Sequence, residues 1–297
     1  MSGLTTCLSF DVDGMSSWIG SLKSNNPSVL SRGEFTQVAT PRILDLLKRQ
    51  NILASFAVPG HTACAFPDLV ARIRDEGHEL VHHGWVHENP AAFDEAGERR
   101  IIERGLEALR RAAGVTPTGY RSPAADFSKV TLKLLKEYGF TYDSTCLASD
   151  YYPYYLRTDD EWSVDEPYRF GPITDLVELP FNWTLDDFPA FEFVLGFNTG
   201  LAQPEDVENM WKGEFDFARE QCAGGIFNLT MHPETIGRGN RLRMLERLIE
   251  YMKEYSDVTF CRMGDYAARW KAENPLDEWS KNNPMRLGVG SITELSC

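Results

Sequence analysis

Three of the chain's six histidines fall within the ten residues "VHHGWVHENP", Val81 to Pro90. His83 and His87 are spaced i, i+4, which on a helical turn puts both rings on one face, within reach of one ion. A carboxylate would complete a two-histidine, one-carboxylate set and leave positions open for water and substrate. "SFDVDG" supplies two candidates, Asp11 and Asp13. Two apart, they point the same way in an extended chain and can converge on one centre in the turn after a strand. One could hold the ion while the other takes a proton from bound water. An HxxxH pair by itself is compatible with ordinary loop histidines. The Asp-x-Asp at a second strand end turns the reading towards a divalent metal site.

Strand-like and helix-like segments alternate along the chain and must position these residues. Strands are predicted at Thr5–Phe10, Leu53–Gly60, around "HELVHHG", Thr118–Pro123, Phe140–Ser144, Asp175–Trp183, Gly225–Pro233 and Val258–Met263. Helices are predicted at Pro41–Gln50, Pro67–Gly77, Phe93–Ala113, Ser128–Tyr138, Pro204–Gln221, Arg241–Tyr255 and Gly264–Glu273. Strand then helix, about seven times over, implies an α/β protein with a mostly parallel sheet. So many units in 297 residues with no linker favour one closed barrel, a single domain over 1–297. An inserted loop around 148–175, rich in aromatic and acidic residues, interrupts it, and no pattern is evident in the tail 283–297.

Reactive residues gather where the apolar strands end. Asp11 and Asp13 close the first strand, and His83 and His87 follow the third. Arg121 lies in "GYRSPAADFS", Trp183, Asp186 and Asp187 in "PFNWTLDD", and His232 in "NLTMHP". In a parallel barrel these ends share one face, where loops build active sites.

A net charge of -14 argues against nucleic acid or an anionic membrane surface as a partner, since both require a basic face. No apolar run approaches the ~20 residues of a membrane span, and the first residues carry no targeting pattern. The six scattered cysteines read as free thiols, and the two Asn-x-Thr triplets, at Asn182 and Asn228, as chance. The expected location is the cytoplasm.

"SFDVDG", "HHGWVHENP", "GYRSPAADFS", "ELPFNW" and "NLTMHP", in this order and spacing, resemble the five motifs of the polysaccharide deacetylase superfamily, over roughly Thr5 to Met263. The resemblance implies a distorted (β/α) barrel with about seven parallel strands that hydrolyses non-peptide C–N bonds with a divalent metal, Zn2+ being the expected ion. It implies that Asp13, His83 and His87 hold the metal. Asp11 would be the general base, positioned by Arg121, and His232 the general acid.

Val12 splits the adjacent Asp-Asp usual in the family, and Ala124-Ala125-Asp126 lacks the usual Gly and Trp. With "MSSWIGS" and "HENP", these departures look like a cytoplasmic branch that includes allantoinase-type enzymes, cyclic-imide hydrolases and some peptidoglycan deacetylases, and that is often tetrameric. The leading expectation is therefore a hydrolase that opens a small cyclic amide, an imide or ureide, to a half-amide. N-deacetylation of N-acetylated sugars or peptidoglycan-type glycans is the alternative, and a catalytically silent binding protein the third. A homo-oligomer, a tetramer by that resemblance, is expected, with a small-molecule substrate as the other partner.

Trp183, Trp85 and Pro123 are candidates for the substrate pocket, Trp85 equally fitting a core position. His82 points away from the pair in an extended chain, His61 fits a loop histidine, and His78 begins a strand on the far side. Arg238 and Arg241 read as a solvated helix start or a carboxylate site. Tyr151–Tyr155 read as a cap on the pocket or an oligomer contact.

Overall fold

The computed structural model describes residues 3–283; the tail from 284 lies outside the described residues. The centre is a nine-stranded sheet: β1 (Leu4–Asp11), β2 (Ser55–Val58), β3 (Glu79–His82), β4 (Gly119–Tyr120), β5 (Tyr142–Asp143), β6 (Tyr154–Arg157), β7 (Ile173–Glu178), β8 (Ile226–Met231) and β9 (Val258–Phe260). The order is β6-β7-β5-β4-β3-β2-β1-β8, with β9 paired to β1. Every pairing is parallel except β6 on β7.

Between the strands run α1 (Ser16–Gly20), α2 (Pro27–Glu34), α3 (Thr36–Gln50), α4 (Gly60–Ala65), α5 (Pro67–Asp75), α6 (Glu95–Ala113) and α7 (Thr131–Glu137). After β7 come α8 (Asp187–Phe191), α9 (Pro204–Gln221), α10 (Pro233–Ile236), α11 (Gly239–Lys253), α12 (Met263–Glu273) and α13 (Leu276–Asn282). The sheet curls, and the chain after β7 returns to β8 through one parallel bridge, Asp186 to Thr230. This is the distorted (β/α) barrel that the alternation implied, joined at that seam by a bridge.

All eight residues of β1 are buried, as expected of a central strand covered on both faces. One apolar core lies between this part of the sheet and the inner faces of α3, α5, α9 and α11, with Phe10, Phe56, Ile43, Leu47, Val70, Trp211 and Leu245 at its centre. A second, built from Tyr120, Tyr142, Tyr155, Leu176 and Trp270, backs β4, β5 and β7.

Three expectations change. The helix expected to start at Pro41 begins at Thr36, with Pro41 inside it. Burial of Ile43, Leu44, Leu46 and Leu47 outweighs the backbone bond that proline cannot make. Segment 148–175 is not all loop, because it contains β6, whose Tyr154, Tyr155 and Leu156 are buried. Tyr151, Tyr154 and Tyr155 therefore belong to the cores, and of this run Tyr152 is the exposed tyrosine. The Arg238 guanidinium lies 4.2 Å over the Phe35 ring, and Arg241 donates to the Phe191 and Thr235 carbonyls. Both arginines are thus tied into the fold.

Candidate active site

The site is assembled at the C-terminal ends of the strands. Asp11 is the last residue of β1, and the Val12 N–H continues the ladder to the Ala57 carbonyl at 2.8 Å. Strand alternation thus runs on past the end of β1: the Val12 side chain enters the apolar core, while both neighbouring aspartates line one cavity. The inserted valine keeps the two carboxylates on a common centre.

His83 and His87 also reach that centre, by a route other than a helix. The chain turns sharply after β3, with Gly84 and His87 at φ 70 and 59. The Glu88 carboxylate accepts from the Trp85 and Val86 N–H groups and holds the turn. The rings end 5.0 Å apart at 77°. His83 Nε2 lies 3.5 Å from Asp13 Oδ1 and 3.7 Å from Asp11 Oδ2, and His87 Nε2 lies 3.4 Å from Asp13 Oδ2.

Asp13, His83 and His87 fit a metal ion. His83 Nδ1 lies 2.8 Å from the Arg121 carbonyl, which can only accept, so the proton sits on Nδ1 and the Nε2 lone pair is free. His83 Nε2 and Asp13 Oδ1 are both buried without a hydrogen-bond partner. Buried polar atoms are rarely left so, and these two face each other. Two imidazole nitrogens and one carboxylate are the donor set of an open divalent site.

Arg121 sets the electrostatics of the other aspartate. It is buried, with Nη1 2.8 Å from Asp11 Oδ1 and 2.9 Å from Ser9 Oγ, while Nε and Nη2 donate to the Ser144 carbonyl and hydroxyl. Burial alone would raise Asp11, but the charges of Arg121, His83 and His232 bring its carboxyl below the ordinary value. Burial raises Asp13, opposed by His232 and His83.

His232 follows β8, with Nε2 4.0 Å from Asp13 Oδ2. Its Nδ1 and backbone N–H both donate to Asp187 Oδ1, at 2.7 and 3.0 Å, and Asp186 lies 3.8 Å away. Burial works against the imidazolium, but Asp186 and Asp187 win and hold His232 well above the usual histidine range. The site thus brings an easily ionised carboxylate, Asp11, and a readily protonated imidazole, His232, to the same cluster of Asp13, His83 and His87.

A cavity of about 320 Å³ opens onto these groups. Asp11, Asp13, His87 and His232 form its polar floor, and Phe181, Trp183, Phe188 and Phe197 its walls. Trp183 stands at the mouth, as expected of a pocket residue. Trp85 does not line this cavity: it packs half-buried against the apolar core, the other position its sequence context allowed, edge-on to His61 and 3.8 Å beneath the Arg104 guanidinium. Pro123 is not in the wall either. It is buried behind, facing Gly84, and Ala124 and Ala125, at φ 55 and 53, line the cavity in its place. His82 stacks on Tyr120 with Nε2 3.1 Å from the Ile102 carbonyl, a core histidine as expected. His61 opens α4 beside Ser16, and His78 Nδ1 accepts from the Ala54 N–H just before β3.

Phe188, Phe197, Ser17, Ser21 and Leu22 reach the cavity without a motif of their own, while Phe181 comes from "ELPFNW". The unusual "MSSWIGS" after the first aspartates was the one signal that two of them, Ser17 and Ser21, carried.

Buried carboxylates and histidines thus converge on the C-terminal rim of a curled, mostly parallel barrel, the face on which barrel enzymes build their sites. The profile of the family described as Polysaccharide deacetylase matches residues 30–142. The chain is 34% identical to a peptidoglycan deacetylase of Helicobacter pylori, across 93% of this chain and 96% of that one. A solved polysaccharide deacetylase-type protein of Mycobacterium smegmatis superposes with a TM-score of 0.81 at 32% identity, covering 100% of this chain and 96% of that one. A solved Puue allantoinase shares the fold, with a TM-score of 0.75 at 22% identity over 92% of this chain and 91% of that one. The chain belongs to the polysaccharide deacetylase family, and with it to the enzymes.

Proposed function

We propose that the protein removes acetyl groups from N-acetylated sugars, with a peptidoglycan-type glycan as substrate class. The observation that carries this reading is the likeness to the Helicobacter pylori peptidoglycan deacetylase along nearly the whole chain. It supports N-deacetylation ahead of the ring-opening of a small cyclic amide that the departures from the family motifs led us to expect. The ring-opening reading stays second, supported by the aromatic walls around a cavity of about 320 Å³.

In this proposal Asp13, His83 and His87 hold a divalent ion, Zn2+ by donor type. When bound, such an ion polarises the amide carbonyl and makes water more acidic. Asp11, kept anionic by Arg121, removes the proton of the attacking water as its oxygen bonds to the carbonyl carbon. His232, kept protonated by Asp186 and Asp187, gives a proton to the nitrogen as the C–N bond breaks. Acetate and a free amine leave, and proton transfer through water resets Asp11 and His232.

The deciding assay incubates purified, Zn2+-loaded protein with N-acetylglucosamine oligomers and peptidoglycan fragments, and separately with succinimide-like rings and allantoin. Acetate release from the glycans is expected. Ring opening with no acetate release would overturn the reading in favour of the second.

The proposed location remains the cytoplasm, supported by free thiols at Cys7, Cys64, Cys146, Cys222 and Cys261. Among the described residues no helix is long and apolar enough to cross a membrane. The protein is also proposed to form a homo-oligomer, supported by the exposed apolar side chains Leu195, Phe197 and Leu201 beside the cavity mouth.

A further inference from the structure

Helix α1 joins the two ligand loops. At one end the Ser16 N–H donates to the Asp13 carbonyl at 3.0 Å, and the Thr62 hydroxyl donates to the same oxygen at 2.5 Å. At the other end Gly20 presses on the turn that carries His87, so closely that a Cβ there would sit 1.6 Å from the Val86 carbonyl oxygen. The next residue, Ser21, places its Oγ 2.7 Å from the His87 carbonyl oxygen and 2.6 Å from His87 Nδ1.

These two contacts leave one arrangement of protons. A hydroxyl has one proton to give, and a carbonyl oxygen can only accept. The Ser21 proton therefore goes to the His87 carbonyl, and Ser21 Oγ accepts from His87 Nδ1–H. The other ring nitrogen, Nε2, is left with its lone pair, 3.4 Å from Asp13 Oδ2. Both contacts land on one residue, and its backbone at φ 59 is in a region that non-glycine residues seldom occupy. Ser21 thus secures at once the carbonyl of that uncommon backbone and the ring that must face the ion. His83 receives its tautomer separately, from the Arg121 carbonyl.

We infer that Ser21 is a positioning residue for the metal centre, fixing the tautomer and orientation of His87 from the C-terminal end of α1. Outer hydrogen bonds of this kind orient a metal-binding imidazole and make it a better donor. The glycine of "IGS" allows the approach and the serine makes the bonds. The inference rests on the metal reading of Asp13, His83 and His87.

Nitrogen-15 NMR of histidine-labelled, metal-free wild-type protein should show the His87 proton on Nδ1; a proton on Nε2 would overturn the inference without any variant. Chelator competition with Zn2+ alone should then show Ser21→Ala weakened by roughly 10–100-fold and Ser21→Thr, which keeps the hydroxyl, close to wild type. Wild-type Zn2+ affinity in Ser21→Ala, with His87 still protonated on Nδ1, would overturn it as well. If the wild-type protein itself takes up no Zn2+, the metal reading has failed, and the NMR measurement still decides whether Ser21 sets the tautomer.

Discussion

Arg121 and Asp11 form a fully buried ion pair, with Nη1 2.8 Å from Oδ1 and each side chain exposed by 6% or less. The pair holds Asp11 towards its ionised form beside the proposed metal ligands and occupies one of its two oxygens. Removing the cation would strand a buried carboxylate. Arg121→Met should therefore cost roughly 3–5 kcal/mol in urea denaturation, because an uncompensated buried charge is left behind. A loss below about 1 kcal/mol would mean that solvent reaches the pair.

The two aspartates of "DVD" should fail differently. Asp11→Asn leaves the proposed ligands in place and should lose about 10²–10⁴-fold in turnover with Zn2+ content unchanged. Asp13→Asn removes the anionic ligand and should lose Zn2+ affinity as well as rate, with partial rescue by excess Zn2+. Equal loss of metal in both variants, measured by elemental analysis, would show that the two roles cannot be divided this way.

Asp187 accepts both the ring and the backbone N–H of His232 through one oxygen. Asp187→Asn should lower turnover by roughly 10²–10⁴-fold, the range of a general-acid contribution, while Zn2+ binding holds. His232→Ala should behave alike, with a smaller deficit on substrates whose leaving nitrogen is already acidic. Zn2+ lost along with turnover in either variant would instead make this pair part of the metal site.

A second buried carboxyl pair gives a pH signature. Asp143 is raised to about 6, chiefly by burial, and burial with the Asp143 charge raises Glu178 further. Both acids bind protons more tightly folded than unfolded, so their contribution to stability is full below about pH 4; that of Asp143 is lost as pH rises through about 6, and that of Glu178 as pH rises through its own raised value. Glu178→Gln keeps the oxygen that accepts from the Thr145 and Cys146 N–H groups. It should match wild type near pH 4 and become more stable from about pH 6 upward, by on the order of 1 kcal/mol or more. Urea titrations at the two pH values check this, and a constant offset between the proteins would disprove it.

The proposed assembly is read by light scattering. Leu195, Phe197 and Leu201 are 88%, 72% and 63% exposed on one loop, a cluster of apolar side chains that a second copy could cover. A mass several times 33.7 kDa, a tetramer by the family resemblance, is expected. A 33.7 kDa species at working concentration would argue that this loop serves the cavity mouth alone.

The amino-acid sequence by itself determined the alternation of strand and helix, and therefore the parallel barrel, because periodicity is a local property of the chain. It also determined that Asp11, Asp13, His83, His87, Arg121 and His232 would share one face, since parallel strands bring their C-terminal ends together. Even the odd Val12 was readable, as strand alternation sends it inward and the aspartates to the cavity. Only the tertiary structure decided the rest. His83 and His87 converge through a left-handed turn held by Glu88, where their spacing alone suggested a helix, and the same turn sends Trp85 to the edge of the core instead of the cavity. Asp187 finds His232, and Ser21 finds His87, across 45 and 66 residues. Those bonds depend on where separate elements come to rest, and neither residue type nor spacing carries that information.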